Sequence, residues 1–437
     1  MTGEPRLTRR GVLAVAGTTL AGGCSALDSV GPDTTLDATA VAEVTRGDTP
    51  TVAKPLPVGV EEDHLAAARA SAESDLDSAP LPLSAESVPN GVVRALLERE
   101  VEYARESLGR ANDAPGVRER LDSLRHAREH ARYVAAAWAA ANDDRTVEGV
   151  RDRAGTVRSD LAGFREERAY VGVDPVRATL VHGAVDEWTD SAGRHADLAD
   201  ERFEYDPASA PGVGERAREV EYGRAVLDDA RHVHGRFTDS LSDPPSVRPT
   251  LVDARESLTE EIESRLADLP PTDAADPATF VDTDRDIEET VAAVVLDDLH
   301  FRLPHRLEPD DALAEDVLER LAGLTHVGAF ERFRERVETG DEFGVGTVDE
   351  LAERRETAVS AVDRALAESP DRRLARQVLA DRLWRITRTD RELRDYEDSV
   401  RASGIRWEVG EYVAMAMLAR SVPAACRTTL DALGVAE

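Results

Sequence analysis

Hydrophobic residues recur every three or four positions over most of the chain, a spacing that places them on one face of a helix. Val93, Leu97, Val101 and Leu108 form one such stripe, and proline pairs such as that at 270–271 interrupt the pattern. We see no convincing period of two that would indicate a strand. The pattern predicts helices at residues 61–78, 92–112, 116–141, 145–170, 175–204, 213–241, 247–268, 285–303, 310–338, 347–368, 371–402 and 407–433.

The predicted fold is therefore all-α, with long antiparallel helices in one elongated bundle or two consecutive bundles. Aromatic residues make up only 4% of the chain, so Leu, Val and Ala must fill the core, and such helices pack closely. A stretch rich in Asp and Pro at 270–284 predicts a boundary between helical domains at 59–270 and 285–437. Residues 24–58 show no sustained period and are predicted to be a flexible tether.

The first 23 residues have the pattern of a signal peptide. Arg6, Arg9 and Arg10 precede an apolar run at 11–21, about half the ~20 residues that a membrane-spanning helix needs. A basic start, a short apolar core and small residues near a cleavage point are typical of a segment removed after export. The adjacent arginines Arg9 and Arg10 indicate export by the twin-arginine (Tat) route.

Two short motifs make this prediction more specific. The sequence T-R-R-G-V-L at 8–13 resembles a twin-arginine box, and L-A-G-G-C at 20–24 resembles a lipobox. Together they resemble the signal of a haloarchaeal Tat-exported lipoprotein, and the resemblance covers only the first 24 residues. It implies cleavage after Gly23, a lipid thioether on Cys24 and a position on the outer face of the cell membrane. A diether lipid would supply two buried chains, which are enough for stable anchoring.

The charge balance of the chain points to a salt-rich compartment and excludes one class of partner. The chain has 87 acidic and 54 basic residues, a net charge of -33, and Lys54 is its single lysine. This composition is typical of proteins that work in molar salt, where a Debye length of about 3 Å screens self-repulsion. We expect no nucleic-acid partner, because binding phosphates requires clustered basic residues.

Cysteine usage predicts no disulfide framework. The chain has two cysteines, and the lipid implied on Cys24 leaves Cys426 without an intrachain partner. Cys426 lies in an apolar stretch, so we predict that it is a buried small hydrophobic residue and not a reactive thiol.

One candidate metal motif lies in the predicted helix 116–141. His126, Glu129 and His130 match the H-x-x-E-H pattern of inverzincin metalloproteases, in which the histidines bind zinc and the glutamate activates water. At ~100° of rotation per residue, however, the triplet points away from the apolar stripe of its helix. We therefore predict that it faces solvent, or a neighbouring helix through its polar side.

A second candidate is the pattern D-x-x-H, which occurs at Asp229/His232 and again at Asp297/His300. Ferritin-like di-metal bundles use E-x-x-H on two helices, because residues i and i+3 share a helix face. Both pairs are predicted to lie off the apolar stripes of their helices, whereas metal sites of this kind lie inside the bundle. We therefore predict no metal site, no cofactor and no catalytic residues.

These observations favour a non-enzymatic, membrane-anchored lipoprotein at the cell surface of a halophile, with a binding or scaffolding role. A surface protein is compatible with this role as its partner. One alternative is a metal-binding protein or metallohydrolase that uses the H-x-x-E-H triplet or the two D-x-x-H pairs. Another is a solute-binding lipoprotein, against which stands the lack of alternating strands and helices. The sequence specifies neither the ligand nor the oligomeric state.

Overall fold

A computed structural model describes residues 34–142, 146–199, 202–271, 274–304, 307–309 and 311–435. The predicted signal peptide, with Arg9, Arg10 and the lipidation residue Cys24, lies outside the described residues. Within them the protein is all-α, as predicted. The helices are α1 (Ala38–Val44), α2 (Glu62–Asp77), α3 (Gly91–Asp113), α4 (Val117–Ala141), α5 (Val147–Glu167), α6 (Pro175–His195), α7 (Ala210–Asp239), α8 (Arg248–Leu266), α9 (Val291–Phe301), α10 (Leu313–Glu338), α11 (Val348–Glu368), α12 (Arg372–Ala380), α13 (Trp384–Arg394) and α14 (Arg406–Ala432). Two short strands, β1 (Thr35–Asp37) and β2 (Ser399–Arg401), pair antiparallel.

Helix ends are set locally by side-chain caps, which explains why most lie within a few residues of the predicted ends. At the start of α11, the Glu350 N–H donates to Thr347 Oγ1 and the Glu350 carboxylate accepts from the Thr347 N–H, a capping box. One detail of the prediction is wrong: the helix predicted at 371–402 is divided into α12 and α13. Pro423 lies inside α14, and the helix continues past it because its burial among other helices outweighs one lost hydrogen bond.

The first half of the structure is built around α4 and α7, which pack against each other along their length. Helices α2 and α3 pack on α4, whereas α5 and α6 pack on α7. Small residues allow close approach: a Cβ on Gly214 of α7 would lie 3.1 Å from the Cβ of Ala137 on α4. Leu, Val and Ala supply most of the core of this half, together with a few buried aromatic residues such as Trp188 and Phe237.

The second half is built around α14, which packs against α9, α10, α11, α12 and α13. Helix α8 packs on α10 and α14 and so belongs with this half. The chain therefore passes from the first group of packed helices to the second in the loop at 240–247, upstream of the boundary predicted at 270–284. Within that predicted boundary, Phe280 is buried against His300 and Phe330 instead of lying in an open linker.

The two halves share one core, and α6 and α10 form the contact between them. Gly183 on α6 lets the helices approach, because a Cβ there would lie 3.3 Å from the carbonyl oxygen of Ala314. Nearby, Asp186 Oδ2 accepts from the Ala314 N–H at 2.8 Å and so caps the first turn of α10. Arg168 balances the charge of this buried carboxylate at 2.6 Å. The start of α10 is thus capped by a residue of the other half.

The prediction of a flexible tether is wrong for residues 34–58, which pack on the body of the protein. Strand β1 pairs with β2, and Val41 of α1 is fully buried. Arg355 Nη2 donates to the Gly47 carbonyl oxygen at 2.6 Å. The segment is too short to show a helical period, and it contacts residues about 300 positions away in the sequence. Its composition alone therefore could not show that it packs on the rest of the protein. Residues 24–33 of the predicted tether lie outside the described ranges.

None of the helices described here is both long enough and apolar enough to cross a lipid bilayer.

Candidate functional site

The H-x-x-E-H triplet lies on α4, where its side chains bond to one another and to α3. Glu129 Oε1 lies 3.0 Å from His126 Nδ1 and 3.4 Å from His130 Nε2. His130 Nδ1 lies 2.7 Å from Glu100 Oε2 of α3. The hydrogen bond to Glu129 raises the pKa of His126. Of the two positions predicted for the triplet, His130 contacts the neighbouring helix α3, whereas the His126 side chain is 40% exposed.

The two D-x-x-H pairs neither converge nor behave as pairs. On α9, Asp297 is exposed, whereas His300 is buried and stacks on Phe280 with ring centroids 4.1 Å apart. On α7, Asp229 is buried while His232 is half-buried. The prediction that both pairs lie off the apolar faces is wrong for Asp229 and His300, because α7 and α9 are covered on more than one side. In the described part of the chain, no group of three or more His, Cys, Asp or Glu is arranged to hold a metal.

Asp229 instead lies at the centre of a cluster that sequence reasoning missed. Its carboxylate lies 2.6 Å from His64 Nε2 of α2 and accepts from Arg125 Nε of α4, also at 2.6 Å. Arg125 in turn lies over the ring of Trp188 of α6, and His64 stacks on His232 at 4.0 Å. Burial opposes the charged carboxylate, but Arg125 and His64 outweigh it and lower the pKa of Asp229. No local motif could have shown this cluster, because it draws one residue or two from each of four helices.

Similar ionic contacts join other helices of the first half and continue into the second. Arg128 pairs with Glu221 between α4 and α7 at 2.8 Å, with both side chains about 5% exposed. Lys54 pairs with Asp381, beyond α12, at 2.8 Å and lies 3.6 Å from Glu187 of α6. The single lysine of the chain thus connects the N-terminal segment to both halves.

A pocket of about 440 Å³ opens in the second half, between the end of α9, the loop that follows it, α10 and the turn between α12 and α13. Leu303, Pro304 and Leu307 give it an apolar wall, and His326 and Arg382 are among its polar residues. Its volume is within the range of small-molecule sites.

His326 is a buried acceptor in this pocket. The side chain is 3% exposed, and its Nδ1 lies 2.9 Å from the carbonyl oxygen of Ala322, one turn earlier on α10. A carbonyl only accepts, so Nδ1 carries the proton and Nε2 is left as an acceptor. Nε2 is buried and has no hydrogen-bond partner among the described residues. Burial, reinforced by Arg382, lowers the pKa of His326 to about 4, so the ring is neutral near pH 7.

Arg382 is a cation that makes no ion pair with the described residues of the same pocket. Its neighbours are paired: Arg385 bonds to Asp298 and Glu411 at 2.9 and 2.6 Å, and Arg302 bonds to Asp298 at 2.9 Å. Several described charged side chains have one buried atom without a partner, but among them Arg382 alone makes no other hydrogen bond or ion pair. Burial and these two arginines lower the pKa of Arg382, and Asp381 and Asp298 offset part of that effect without an ion-pair contact. The pocket therefore combines a histidine nitrogen that accepts no hydrogen bond with an arginine that makes no ion pair.

A wider cleft of about 550 Å³ lies between residues 285–292, 341–345 and 402–409. Its floor includes Ile287, Phe343 and Val409, and acidic residues such as Glu288 and Glu342 also line it. No described residue of this cleft has a buried polar atom without a partner. The cleft thus lacks the feature that distinguishes the pocket at His326.

Cys426, the thiol in the apolar stretch near the end of the chain, is buried as predicted. Burial raises the pKa of its thiol to about 12, so the nucleophilic thiolate does not form near neutral pH.

Fold and site together define an all-α protein of two helical halves with a polar pocket in the second. Residues 63–243 match a family described as a domain of unknown function, DUF8262, and residues 248–431 match a second, DUF8264. The matches meet in the loop between α7 and α8, where the packing also changes over. No curated protein and no solved structure matches the chain.

Proposed function

We propose that the protein is a lipid-anchored binding protein on the outer face of a halophile's cell membrane, where it holds a small ligand in the pocket at His326. Support for the address comes from the twin-arginine and lipobox motifs, and support for the salt regime from the net charge of -33. Support for a binding role comes from the pocket.

The observation that carries this proposal is the pair of unused polar groups in one pocket. A buried polar group without a hydrogen bond costs about 1–3 kcal/mol, so one that lines a pocket gains free energy when a ligand bonds to it. His326 Nε2 is such a group, and Arg382 beside it has no carboxylate partner. A ligand that bonds to both groups would recover that cost on binding, which gives the site its affinity.

The chemistry of the pocket favours binding over catalysis. Among the described residues that line it there is no Ser, Thr or Cys to act as a nucleophile. His326 has a pKa of about 4, too low for an effective general base near pH 7. The polar groups of the pocket can orient and hold a ligand, and on this ground we propose a binding role.

The proposed address is tested by expressing the full chain in a haloarchaeal host and following it in membrane, cytoplasmic and external fractions. We expect wild type in the membrane fraction and open to external protease. Arg9→Lys together with Arg10→Lys should keep the protein in the cytoplasm, whereas the matched control Arg6→Lys should leave export unchanged. Cys24→Ala should abolish incorporation of labelled lipid. Wild type found unlipidated in the cytoplasm would refute the address.

A binding role is tested on the mature protein, extracted from those membranes and kept in molar salt. A panel of small organic acids, inorganic anions, sugars and amino acids is screened by the shift in thermal unfolding, since a ligand that binds the native state stabilises it. We expect at least one compound to raise the unfolding midpoint of wild type but not of Arg382→Gln. The exposed Arg388→Gln, on the neighbouring α13, is the control and should respond like wild type.

A further inference from the structure

We infer that the pocket at His326 binds a small hydroxy acid, a monocarboxylate with a hydroxyl group and a short aliphatic chain. This inference rests on the proposed binding function and specifies its ligand class. Three properties of the pocket lead to it, namely an arginine without an ion pair, a histidine nitrogen that accepts no hydrogen bond, and an apolar wall.

The arginine that makes no ion pair in the pocket calls for an anionic group on the ligand. Asp298 and Glu411 neutralise Arg302 and Arg385, and Asp316 lies 2.8 Å from Arg320. The exposed Glu319 also lines the pocket and lies 4.0 Å from Arg320. Arg382 is the described arginine of the lining that makes no ion pair. A guanidinium group offers parallel N–H donors that match both oxygens of a carboxylate, and it keeps its charge at every physiological pH. One carboxylate on Arg382 would give this arginine the partner that the arginines beside it already have.

The unused acceptor calls for a hydrogen-bond donor on the same ligand. His326 Nε2 can only accept while Nδ1 donates to Ala322. An ammonium group would be repelled, because among the described residues three arginines line the pocket against one carboxylate: Arg302, Arg320 and Arg382 against Glu319. A neutral hydroxyl donates without adding positive charge. The donor is therefore a hydroxyl group, and hydroxy acids are favoured over amino acids.

The apolar wall favours an aliphatic group on the ligand over a second ionic group. Leu303, Pro304 and Leu307 line the pocket opposite α10, and Gly323 lies close to this wall: a Cβ there would be 3.4 Å from Pro304 Cγ. An inorganic oxyanion such as phosphate would leave oxygens against this wall without partners, which is costly. A branched aliphatic chain would bury apolar surface there instead.

The experiment compares four matched probes by titration calorimetry on the mature wild-type protein in molar salt. The probes are 2-hydroxyisovalerate, isovalerate, valine and inorganic phosphate. Isovalerate lacks the hydroxyl group, and valine has an ammonium group at the position of the hydroxyl. We expect hydroxyisovalerate to bind, isovalerate to bind about tenfold more weakly for the loss of one hydrogen bond to a buried acceptor, and valine and phosphate not to bind. This comparison needs no variant and so does not depend on the folding of one.

Two variants then assign the contacts. Arg382→Gln should abolish binding of both acids, and Arg388→Gln should leave it unchanged. His326→Phe should remove the difference between hydroxyisovalerate and isovalerate while isovalerate still binds, a result that general loss of structure would not give. Equal affinity of the two acids in wild type would overturn the role of His326.

The outcomes also separate this inference from the proposed function. If phosphate or valine binds in an Arg382-dependent way and the hydroxy acid does not, the ligand class is wrong and the binding function stands. If neither these probes nor the wider panel bind in an Arg382-dependent way, both the ligand class and the binding function are wrong.

Discussion

The cluster at Asp229 in the first half and the pocket at His326 in the second contain the same kinds of residue, but their side chains have partners only in the cluster. Each places a histidine and an arginine in a largely buried position between helices. In the first cluster, the Asp229 carboxylate bonds to both His64 and Arg125 at 2.6 Å. In the pocket no carboxylate takes that place, and both His326 Nε2 and Arg382 are left without partners.

This difference separates residues that hold the fold together from residues that are available to a ligand. A buried charge is tolerated when a partner of opposite sign and good geometry offsets its desolvation. The Asp229 cluster meets that condition within the chain, so its contribution is structural. The pocket at His326 does not, and a ligand carboxylate could do for Arg382 what Asp229 does for Arg125.

The largest expected effect follows from breaking the complete cluster. Asp229→Ala leaves Arg125 buried without a counter-charge, which should lower the free energy of unfolding by about 3–5 kcal/mol. Chemical denaturation in molar salt measures the loss. The adjacent Asp228→Ala is the control: it removes a side chain 40% exposed that contacts Arg128 and Arg224, and it should cost less than about 1 kcal/mol. Equal losses would show that the cluster is not buried as described.

A smaller loss of stability tests whether the two helical halves share a single core. Gly183→Ala places a methyl group 2.5 Å from Leu318 Cδ1 and 3.3 Å from the Ala314 carbonyl oxygen. Overpacking of this kind should destabilise the protein by about 1–3 kcal/mol. In α5, a Cβ on Gly163 meets nothing within 4 Å, so Gly163→Ala should instead stabilise by about 0.5–1 kcal/mol. If both changes stabilise, α6 and α10 do not touch at Gly183.

The pH dependence of stability should distinguish a histidine that has a carboxylate partner from one that has none. The pKa of His326 falls from 6.5 in the unfolded chain to about 4 in the fold, so the unfolded state binds the extra proton. Stability should therefore decline as pH falls from 6.5 to 4. His126 is the converse case. Its pKa is raised, so its contribution is present below 6.5 and is lost as pH rises through the raised value.

Unfolding midpoints measured across this pH range check the assignment. His326→Phe should flatten the acid-side decline without removing it, because burial also lowers the pKa of His182 to about 4. His126→Gln should leave the decline between 6.5 and 4 at least as steep as in wild type. A decline that His326→Phe does not change would show that His326 is not held neutral in the fold.

The smallest expected effect comes from the cation of the pocket. Arg382→Leu removes a group with no hydrogen bond or ion pair to the described residues, so stability should be unchanged or higher by up to about 1 kcal/mol. Arg385→Leu is the contrast, because it leaves Asp298 and Glu411 without their partner and should destabilise the protein. A large loss of stability in Arg382→Leu would mean that Arg382 is structural.

Much of the architecture could be predicted from local patterns, and most of the candidate site could not. Helices such as α4 and α11 were predicted to within one residue at each end, because apolar spacing and caps act over a few positions. The segment 34–58 was mistaken for a tether, because its stability comes from contacts with residues such as Arg355. His326 and Arg382 belong to no motif, since they lie 56 positions apart on different elements.

The sequence by itself determined the fold class, most helix boundaries and the acidic surface. The physical reason is that helical periodicity, capping and charge depend on residues a few positions apart, or on composition alone. Only the tertiary structure decided which charges are partnered, because each partner lies on another helix. Asp229 became the centre of a buried cluster because α2 and α4 bring His64 and Arg125 to it, whereas Arg382 makes no ion pair with the described residues around it.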